Sequence, residues 1–388
     1  MILQKIVPLS EQNGIEENKG CFDMRVVHII PTLESGGAEK MLIDLLEEMK
    51  KSEVTIEVFV LSDKGDFYSK KLQDLDITIH FSPINIVYHP LQILVIKQFL
   101  NNNFDIVHAH LFAPQLYIAI SKIIKFGFKS TLITTEHSTH NRRREKKYFK
   151  VLDNWMYKKY SKIIANTEGT KEELNKYLPN TTAKTIVVQN GIQVGEYINA
   201  KPLKRAELIK NYRENDILIV MVAAMREQKD HETLIRASKL LPENYHILFV
   251  GAGERINNVK EYAENYGENI HFLGRRSDVP SILKACDIFV LSSKWEGFAL
   301  VAIEAMAAGL PVIVSDVVGM KEVVDGVGKL FEVGNENELA KQILSIKLKT
   351  LKGQDFIGLK NEKYLLYNIE TVSSNYLRVY HEAILNYE

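Results

Sequence analysis

Two glutamates, Glu296 and Glu304, are separated by seven residues in the segment LSSKWEGFALVAIEAMAAGLPVIVSD, residues 291–316. Glu296 ends the loop after an apolar run, and a helical pattern follows it. The start of a helix has unpaired backbone N–H groups and a positive dipole end, which suit a diphosphate. Glu304 lies about two turns along, and carboxylates accept hydrogen bonds in pairs, as vicinal sugar hydroxyls donate them. The alternative is a helix-cap neighbour followed by a solvated glutamate, although apolar residues surround Glu304.

Two cations, Arg226 and Lys229, follow an apolar run in the segment VAAMREQKDHETLIRA. A departing diphosphate gains negative charge, and where no metal is bound the protein must supply cations at that position. These two side chains are therefore candidates for a phosphate clamp. The next residues, Asp230 and His231, are interpreted as the start of a helix without a chemical role.

Three glycine-containing turns follow predicted strands, where glycine lets backbone N–H groups approach a ligand closely. Gly36 and Gly37 lie between the first strand and the first helix, and an ordinary loop is the alternative there. The turn FVGAGERI contains Gly251 but only part of a dinucleotide fingerprint, because the third glycine is missing. The third turn, after IHFLG, contains Gly274 and Arg275.

Four histidines follow predicted strands, His108 and His110 in DIVHAH and His137 and His140 in TTEHSTHNRRR. Such spacing raises the question of a metal. No carboxylate-rich motif accompanies these histidines, and the D-x-D pair at residues 74–76 lies at an element junction. We therefore expect no metal site. Each histidine is either catalytic or has a structural role at its strand end.

The run NRRREKKYFK, residues 141–150, is the densest basic segment of the chain and is followed by further aromatic residues. A solvated face is one interpretation. The other is contact with an anionic acceptor, such as a lipid-linked diphosphate at a membrane surface, because basic and aromatic side chains favour that interface. The apolar stretch at residues 88–100 is interpreted as a core helix, and a membrane-proximal helix is the alternative.

Short β-branched runs alternate with helical patterns from Met24 onward, which predicts an α/β fold with parallel, doubly wound sheets. The pattern lapses through residues 192–215, after the turn pair Asn190-Gly191, and this places a domain boundary near residue 200. Ligands of such sheets bind at the carboxyl ends of strands, so two facing domains would form a cleft. The predicted segments are a loosely ordered leader (1–23), a first domain (24–200), a second domain (201–368) and a last helix that belongs to either domain and could cross back to the first (369–388).

The composition of the 388 residues excludes several classes of protein. Lysine plus arginine and aspartate plus glutamate both number 49, so the net charge is zero and the overall field attracts neither nucleic acid nor anionic lipid. The two cysteines lie far apart, which argues against a disulfide framework or a structural zinc site. No apolar run approaches the roughly 18 residues that span a bilayer. We therefore expect a soluble protein or one that lies on a membrane surface.

The segment with Glu296 and Glu304 resembles the E-x7-E segment of the family 4 retaining glycosyltransferases, and the similarity extends from Met24 to the end of the chain. The family has the GT-B fold, two Rossmann-like domains facing each other across a cleft, and uses nucleotide-sugar donors without a metal or other cofactor. The resemblance implies that Glu296 holds hydroxyls of the donor sugar and Glu304 those of the nucleoside ribose. The start of the helix between them would bind the diphosphate through Gly297, Phe298, Ala299 and Leu300.

The resemblance implies further contacts at matching positions. His137 would lie beside the reacting sugar, and Arg226 with Lys229 beside the pyrophosphate. The family usually has arginine five residues before this lysine, where the present chain has Ala224, so Arg226 would reach the phosphates from a shifted position. The glycine turns would contribute as follows: Gly36 and Gly37 face the donor phosphates and the acceptor, whereas Gly251, Gly274 and Arg275 line the nucleotide base.

The resemblance implies a cytoplasmic transferase, either free or at the inner face of the membrane, that moves a hexosyl or N-acetylhexosaminyl group with retention. We expect a UDP-sugar donor and an acceptor hydroxyl in a surface polysaccharide or lipid-linked glycan, and no nucleic acid. A nucleotide-sugar epimerase or a phosphorylase with the same fold is the nearest alternative. A nicotinamide-dependent oxidoreductase built on the turn at Gly251 is a distant one, because it leaves the E-x7-E segment unexplained, and a non-enzymatic binding module is the third.

Overall fold

Two parallel sheets follow one another along the chain in this computed structural model, which describes residues 24–34, 36–124, 128–137, 142–346 and 362–385. The predicted leader, residues 1–23, and His140 lie outside the described residues. The first sheet contains β1 (Met24–Ile30), β2 (Val54–Val60), β3 (Thr78–Phe81), β4 (Ile106–His110), β5 (Thr131–Glu136), β6 (Lys162–Ala165) and β7 (Thr185–Val187). The second contains β8 (Ile217–Val222), β9 (Tyr245–Val250), β10 (Ile270–Gly274), β11 (Ile288–Leu291), β12 (Val312–Ser315) and β13 (Lys329–Phe331).

Central strands of both sheets are covered by helices on both faces, which explains their continuous apolar sequences. All five residues of β4 and all four of β11 are buried. The predicted α/β fold with two doubly wound sheets is confirmed. The first sheet ends at Val187 and the second begins at Ile217, on either side of the residue near which the boundary was predicted.

The direction of strand order reverses once in each sheet. The first has the order β3-β2-β1-β4-β5-β6-β7 and the second β10-β9-β8-β11-β12-β13. Ligands of such sheets bind outside the carboxyl ends of the strands at the reversal point. The loops after β1 and β4 in the first sheet, and after β8 and β11 in the second, are therefore the places where a site is expected.

Helices connect most of the strands, and no described helix is long and apolar enough to cross a membrane. Those of the first half are α1 (Gly37–Met49), α2 (Ser69–Asp74), α3 (Gln92–Phe99), α4 (Phe112–Ile123), α5 (Lys147–Tyr157), α6 (Glu168–Tyr177) and α7 (Val194–Ile198). Those of the second half are α8 (Arg205–Leu208), α9 (His231–Ser238), α10 (Ile256–Ala263), α11 (Val279–Ala285), α12 (Leu300–Ala307), α13 (Val318–Val324), α14 (Glu336–Leu344) and the C-terminal helix (Ile369–Leu385).

Buried apolar side chains form two clusters. One lies on the face of the first sheet that α3, α4 and α5 cover. The other begins on the opposite face, beneath α1, and continues through Ile192 and Tyr197 into the second sheet. The C-terminal helix packs against α1 and buries Tyr376 and Tyr380 completely. The two halves of the chain therefore share a continuous apolar core.

Candidate active site

Lys229 and Glu296 form an ion pair at the reversal point of the second sheet. Lys229 ends a short 3-10 helix that follows β8, and Glu296 lies in the loop between β11 and α12. Because β8 and β11 are neighbouring parallel strands, their carboxyl-end loops meet, and the Lys229 ammonium donates to Oε1 of Glu296. Both side chains are largely buried, with 19% and 8% of their surfaces exposed. The structure thus joins two of the predicted site residues.

Neighbouring polar groups hold the Glu296 carboxylate in one orientation. The Ser293 hydroxyl donates to its Oε1 at 2.6 Å, and the Gln228 amide approaches its Oε2 at 3.4 Å. The same amide donates to the carbonyl oxygen of Trp295 at 2.8 Å, which ties the two loops together. A carboxylate fixed in this way is preorganised to accept hydrogen bonds from hydroxyl groups of a ligand.

An open cavity of about 380 Å³ lies beside the Glu296 side chain. Concave sites with an apolar wall and a few charged groups are typical of small-molecule binding. Glu296 therefore borders open space while Lys229 and Ser293 hold it. The lining residues are Trp295, Glu296, Asp316, Val317, Val318 and Lys321.

The prediction that Gly297 and Phe298 open a helix is wrong, because α12 begins at Leu300 with Ala299 as its N-cap. The preceding carbonyl groups face α13 instead. A Cβ atom on Gly319 would lie 2.5 Å from the carbonyl oxygen of Glu296 and 2.6 Å from that of Gly297. The loop is therefore braced by a close backbone contact that only glycine permits.

Glu304 lies on α12 but is buried against the first half of the chain, with 2% of its surface exposed. Its Oε1 is 3.8 Å from the ammonium of Lys40, which belongs to α1 and also contacts Asp44 at 2.8 Å. Burial raises the pKa of Glu304, while the Lys40 charge and a hydrogen bond with Tyr197 oppose the shift. The interpretation of Glu304 as a solvated helix residue is thereby excluded, and its contact with ribose stays a prediction.

Arg226 is exposed at the N-cap of the 3-10 helix that contains Lys229. Burial raises the pKa of Glu39, in the first turn of α1, and the charge of Arg226 opposes that shift. The guanidinium group therefore lies toward the first half of the chain. Within the described residues it forms no hydrogen bond or ion pair, so it is available to a phosphate.

The predicted glycine positions have structural roles of their own. Gly251 has φ +145°, and a Cβ atom there would lie 2.0 Å from the carbonyl oxygen of Ala223. Gly36 is the N-cap of α1, and Gly37 is its first residue with open space where a Cβ atom would lie. The carbonyl oxygen of Gly274 accepts a hydrogen bond from the Gly251 N–H at 2.8 Å. The close contact at Gly251 explains that glycine without a ligand, and the ligand contacts of all four glycines stay predictions.

Arg275, predicted to line the base pocket, reaches toward the first half of the chain. Its guanidinium carbon lies 5.7 Å from the centre of the Phe67 ring, which follows β2. Cations interact favourably with aromatic faces at such distances. Arg275 therefore contributes to the contact between the two halves.

His137 directly follows β5 at the carboxyl edge of the first sheet. Its Nε2 lies 3.3 Å from Nδ1 of His110, and its carbonyl oxygen accepts a hydrogen bond from the Asn166 amide at 3.2 Å. Burial lowers the pKa of His137 to about 4, so the ring is neutral at pH 7. The structure joins His137 to histidines of its own sheet and not to Glu296.

Arg143 and Arg144 of the basic run point into the protein, so the two expectations for this run, a solvated face or contact with an anionic acceptor, are wrong for these two residues. Arg144 pairs with Glu136 at 2.7 Å and Arg143 with Asp153 at 3.2 Å, and only 10% and 11% of the arginine side chains are exposed. A buried carboxylate requires a cation nearby, and these arginines supply it. Lys146 and Lys150 remain exposed to solvent.

Sequence reasoning missed Ser293, Gln228 and Lys40. The first two lie in loops at the strand-order reversal, so the position of the loops was a usable signal. Lys40 pairs with Asp44 at the i,i+4 spacing of an ordinary surface pair, and nothing in that pattern indicates its contact with Glu304.

Two family models match most of the chain. The one described as Glycosyltransferase Family 4 matches residues 35–196, and the one described as Glycosyl transferases group 1 matches residues 204–357. The Escherichia coli enzyme UDP-Gal:alpha-D-GlcNAc-diphosphoundecaprenol alpha-1,3-galactosyltransferase is 30% identical over 238 residues, which are 58% of this chain and 60% of that enzyme. The match thus spans less than two thirds of that relative.

Other relatives match over more of their length. A Campylobacter jejuni enzyme, N-acetylgalactosamine-N,N'-diacetylbacillosaminyl-diphospho-undecaprenol 4-alpha-N-acetylgalactosaminyltransferase, is 28% identical over 80% of this chain and 86% of its own. A crystal structure of Anabaena Alr3699/HepE in complex with UDP and glucose superimposes with a TM-score of 0.79 at 19% identity, covering 92% of this chain and 100% of that one. A glycosyltransferase from Rickettsia africae superimposes with a TM-score of 0.77 at 23% identity, covering 93% and 99%. The chain belongs to family 4 of the glycosyltransferases and has their GT-B fold.

Proposed function

We propose that the chain transfers a hexosyl or N-acetylhexosaminyl group from a UDP-sugar to a hydroxyl of a glycan on a lipid diphosphate, with retained anomeric configuration. The observation that carries the proposal is the Lys229–Glu296 pair at the strand-order reversal of the second sheet. The donor and acceptor classes are supported by two relatives whose names include UDP-Gal or a diphosphoundecaprenol glycan. The proposed location is the cytoplasm, at the inner face of the membrane.

The proposed reaction needs no covalent intermediate on the protein. The bond between the sugar C1 and the diphosphate oxygen breaks, and the acceptor hydroxyl forms a new bond to C1 on the same face through an oxocarbenium-like state. The departing phosphate oxygen takes the acceptor proton. Lys229 and Arg226 offset the charge that develops on the diphosphate, and Glu296 holds hydroxyls of the sugar. The polar groups around Glu296 suit this role without a metal, so we propose no cofactor.

A panel of nucleotide diphosphates tests the donor assignment. UDP at a hundredfold excess over its dissociation constant should stabilise the protein by about 2.7 kcal/mol, because a ligand of the folded state shifts the unfolding equilibrium. GDP and ADP should shift the melting temperature less. A larger shift with GDP or ADP would contradict the choice of UDP.

Substrate consumption tests the reaction class. With a UDP-sugar and a lipid-linked glycan, UDP should be released only when the acceptor is present. An epimerase would interconvert the UDP-sugar without an acceptor, and a phosphorylase would require inorganic phosphate. Either result would contradict the proposed transfer.

Replacing the two glutamates should separate nucleotide binding from sugar transfer. We expect Glu304→Ala to weaken binding of UDP by about tenfold, the effect of losing hydrogen bonds worth about 1.4 kcal/mol. Lys40 keeps Asp44 at 2.8 Å, so this variant leaves no buried ammonium without a counter-ion. Glu296→Ala should bind UDP as the wild type does and lose transfer. Calorimetry with UDP alone measures both affinities, and equal losses would contradict the assigned roles.

Exposed apolar side chains cluster near the starts of two helices of the first half, which supports membrane contact. Tyr88 and Leu91 lie just before α3, and Tyr148 and Val151 lie in the first turns of α5. The exposed fractions of Tyr88 and Tyr148 are 74% and 65%. Exposed Lys150 accompanies them. Both helices follow strands at the carboxyl edge that carries His137. Apolar and basic side chains together favour an anionic lipid surface.

Replacing both Leu91 and Val151 with serine should weaken binding to anionic phospholipid vesicles, measured by sedimentation, by about thirtyfold, because each change removes on the order of 1 kcal/mol of apolar transfer energy. The matched control is Leu240→Ser, an exposed leucine in the second half that should leave sedimentation unchanged. Equal sedimentation of the double variant and the wild type would contradict contact through this face.

A further inference from the structure

Buried histidines form an unbroken chain between His137 and the C-terminal helix. Nε2 of His137 lies 3.3 Å from Nδ1 of His110, and Nε2 of His110 lies 2.9 Å from Nδ1 of His28. Nε2 of His28 is 3.5 Å from the Tyr380 hydroxyl, which is 2.6 Å from Nδ1 of His108. This series of hydrogen bonds therefore connects His137, a predicted site residue, with the C-terminal helix.

The geometry of the rings favours hydrogen bonding over metal ligation. His28 lies on β1 opposite His108 on β4, and the ring planes of His28, His108 and His110 are within 22° of one another. The 2.9 Å between Nε2 of His110 and Nδ1 of His28 is a hydrogen-bond distance. Two nitrogens bound to one tetrahedral zinc ion would lie about 3.3 Å apart. Both nitrogens of His108 also have partners, since Nε2 is 2.8 Å from the Thr135 hydroxyl.

The tautomers of these rings depend on one another. A neutral imidazole has one donor and one acceptor nitrogen. Burial lowers the pKa of His28 to about 3, so this ring is neutral at pH 7. His28, His110 and His108 each use both ring nitrogens in hydrogen bonds. The choice of donor and acceptor nitrogen at one ring therefore determines the choice at every other ring, and only two arrangements exist.

We propose that Tyr380 is a positioning residue that selects one arrangement and thereby sets the tautomer of His137. The tyrosine has one hydroxyl proton, and its short contact of 2.6 Å is with Nδ1 of His108, so it donates there. Its oxygen then accepts from Nε2 of His28. Following the links, His110 donates to His28, and His137 donates from Nε2 to His110.

This arrangement leaves Nδ1 of His137 as a hydrogen-bond acceptor. Nδ1 is buried and has no hydrogen-bond partner among the residues that the structure describes. A buried acceptor without a partner suits a hydroxyl group of a ligand. The inference rests on the proposed function, in which that hydroxyl belongs to the donor sugar.

The test reads the tautomer of His137 by nitrogen NMR of the full-length protein labelled with 15N histidine. The wild type should show His137 protonated on Nε2. Tyr380→Phe should give a mixture of tautomers and lower kcat by about 3–10-fold, the range for one neutral hydrogen bond, with KM for the UDP-sugar nearly unchanged. Tyr376→Phe is the control, because that ring lies beyond His108, with its hydroxyl 3.4 Å from Thr135.

Three results would overturn the inference: His137 protonated on Nδ1 in the wild type, an unchanged tautomer in Tyr380→Phe, or the same change in Tyr376→Phe. The wild-type spectrum alone is decisive if a variant fails to fold. Failure of the proposed function is distinguishable, because it would show as absent sugar transfer by the wild type, whereas the tautomer is read without turnover.

Discussion

Alanine at Lys229 lowers kcat for sugar transfer by about 10²–10³, the effect of removing one preorganised electrostatic group from a reacting centre. The ammonium of Lys229 is held at Glu296 in the loop where the donor diphosphate is proposed to bind. Without it, the negative charge of departing UDP lacks a fixed cation. Arg226→Ala is expected to show a loss of the same order, because its guanidinium group is exposed beside the same loop.

Initial rates with a saturating UDP-sugar measure this prediction. Lys239→Ala is a suitable control, since Lys239 follows α9 and contacts the Tyr266 ring at 4.6 Å, away from the ion pair. The control should retain wild-type kcat. Turnover like that of the wild type in both Lys229→Ala and Arg226→Ala would contradict the phosphate clamp.

Alanine at Arg144 destabilises the protein by about 3–5 kcal/mol, the effect of leaving a buried charge without its partner. Arg144 pairs with Glu136, which also accepts hydrogen bonds from the Tyr157 hydroxyl and, at 3.0 Å, from the Gln115 amide. Burial alone would raise the pKa of Glu136, but the two arginines beside it lower the pKa overall. This stabilisation is therefore present above the ordinary glutamate pKa and is lost as the pH falls through the lowered one.

Urea unfolding at pH 7 measures the change in free energy of unfolding. The matched control is Lys146→Ala in the same basic run, which is exposed and should change stability by less than about 0.5 kcal/mol. Equal stability of Arg144→Ala and the wild type, together with weaker vesicle binding, would return Arg144 to the membrane-facing role.

The sequence predicts the fold and places Lys229 and Glu296 in one site for the same physical reason. Runs of β-branched residues between amphipathic segments require a buried parallel sheet, and the carboxyl ends of its strands gather the following loops. Both residues follow strands that turn out to be neighbours. Local pattern and topology are enough to bring them together.

Other features depend on partners far apart in sequence. Arg143 and Arg144 stand in a run of like charges, which is typical of a solvated face, and only the fold brings Glu136 and Asp153 against them. The contact of Lys40 with Glu304 joins the two halves of the chain. The early start predicted for α12 was wrong because the loop before this helix packs closely against Gly319 of α13. The helix propensity of the local sequence does not reveal this contact.

The configuration of the new glycosidic bond tests the central proposal most directly. The wild type is incubated with an α-linked UDP-sugar and a lipid-linked glycan, and the purified product is examined by proton NMR together with the amount of UDP released. We predict an α-glycosidic bond on the acceptor and one UDP released for each sugar transferred. A β-linked product, or UDP-sugar consumed with no sugar on the acceptor, would contradict retaining transfer by this chain.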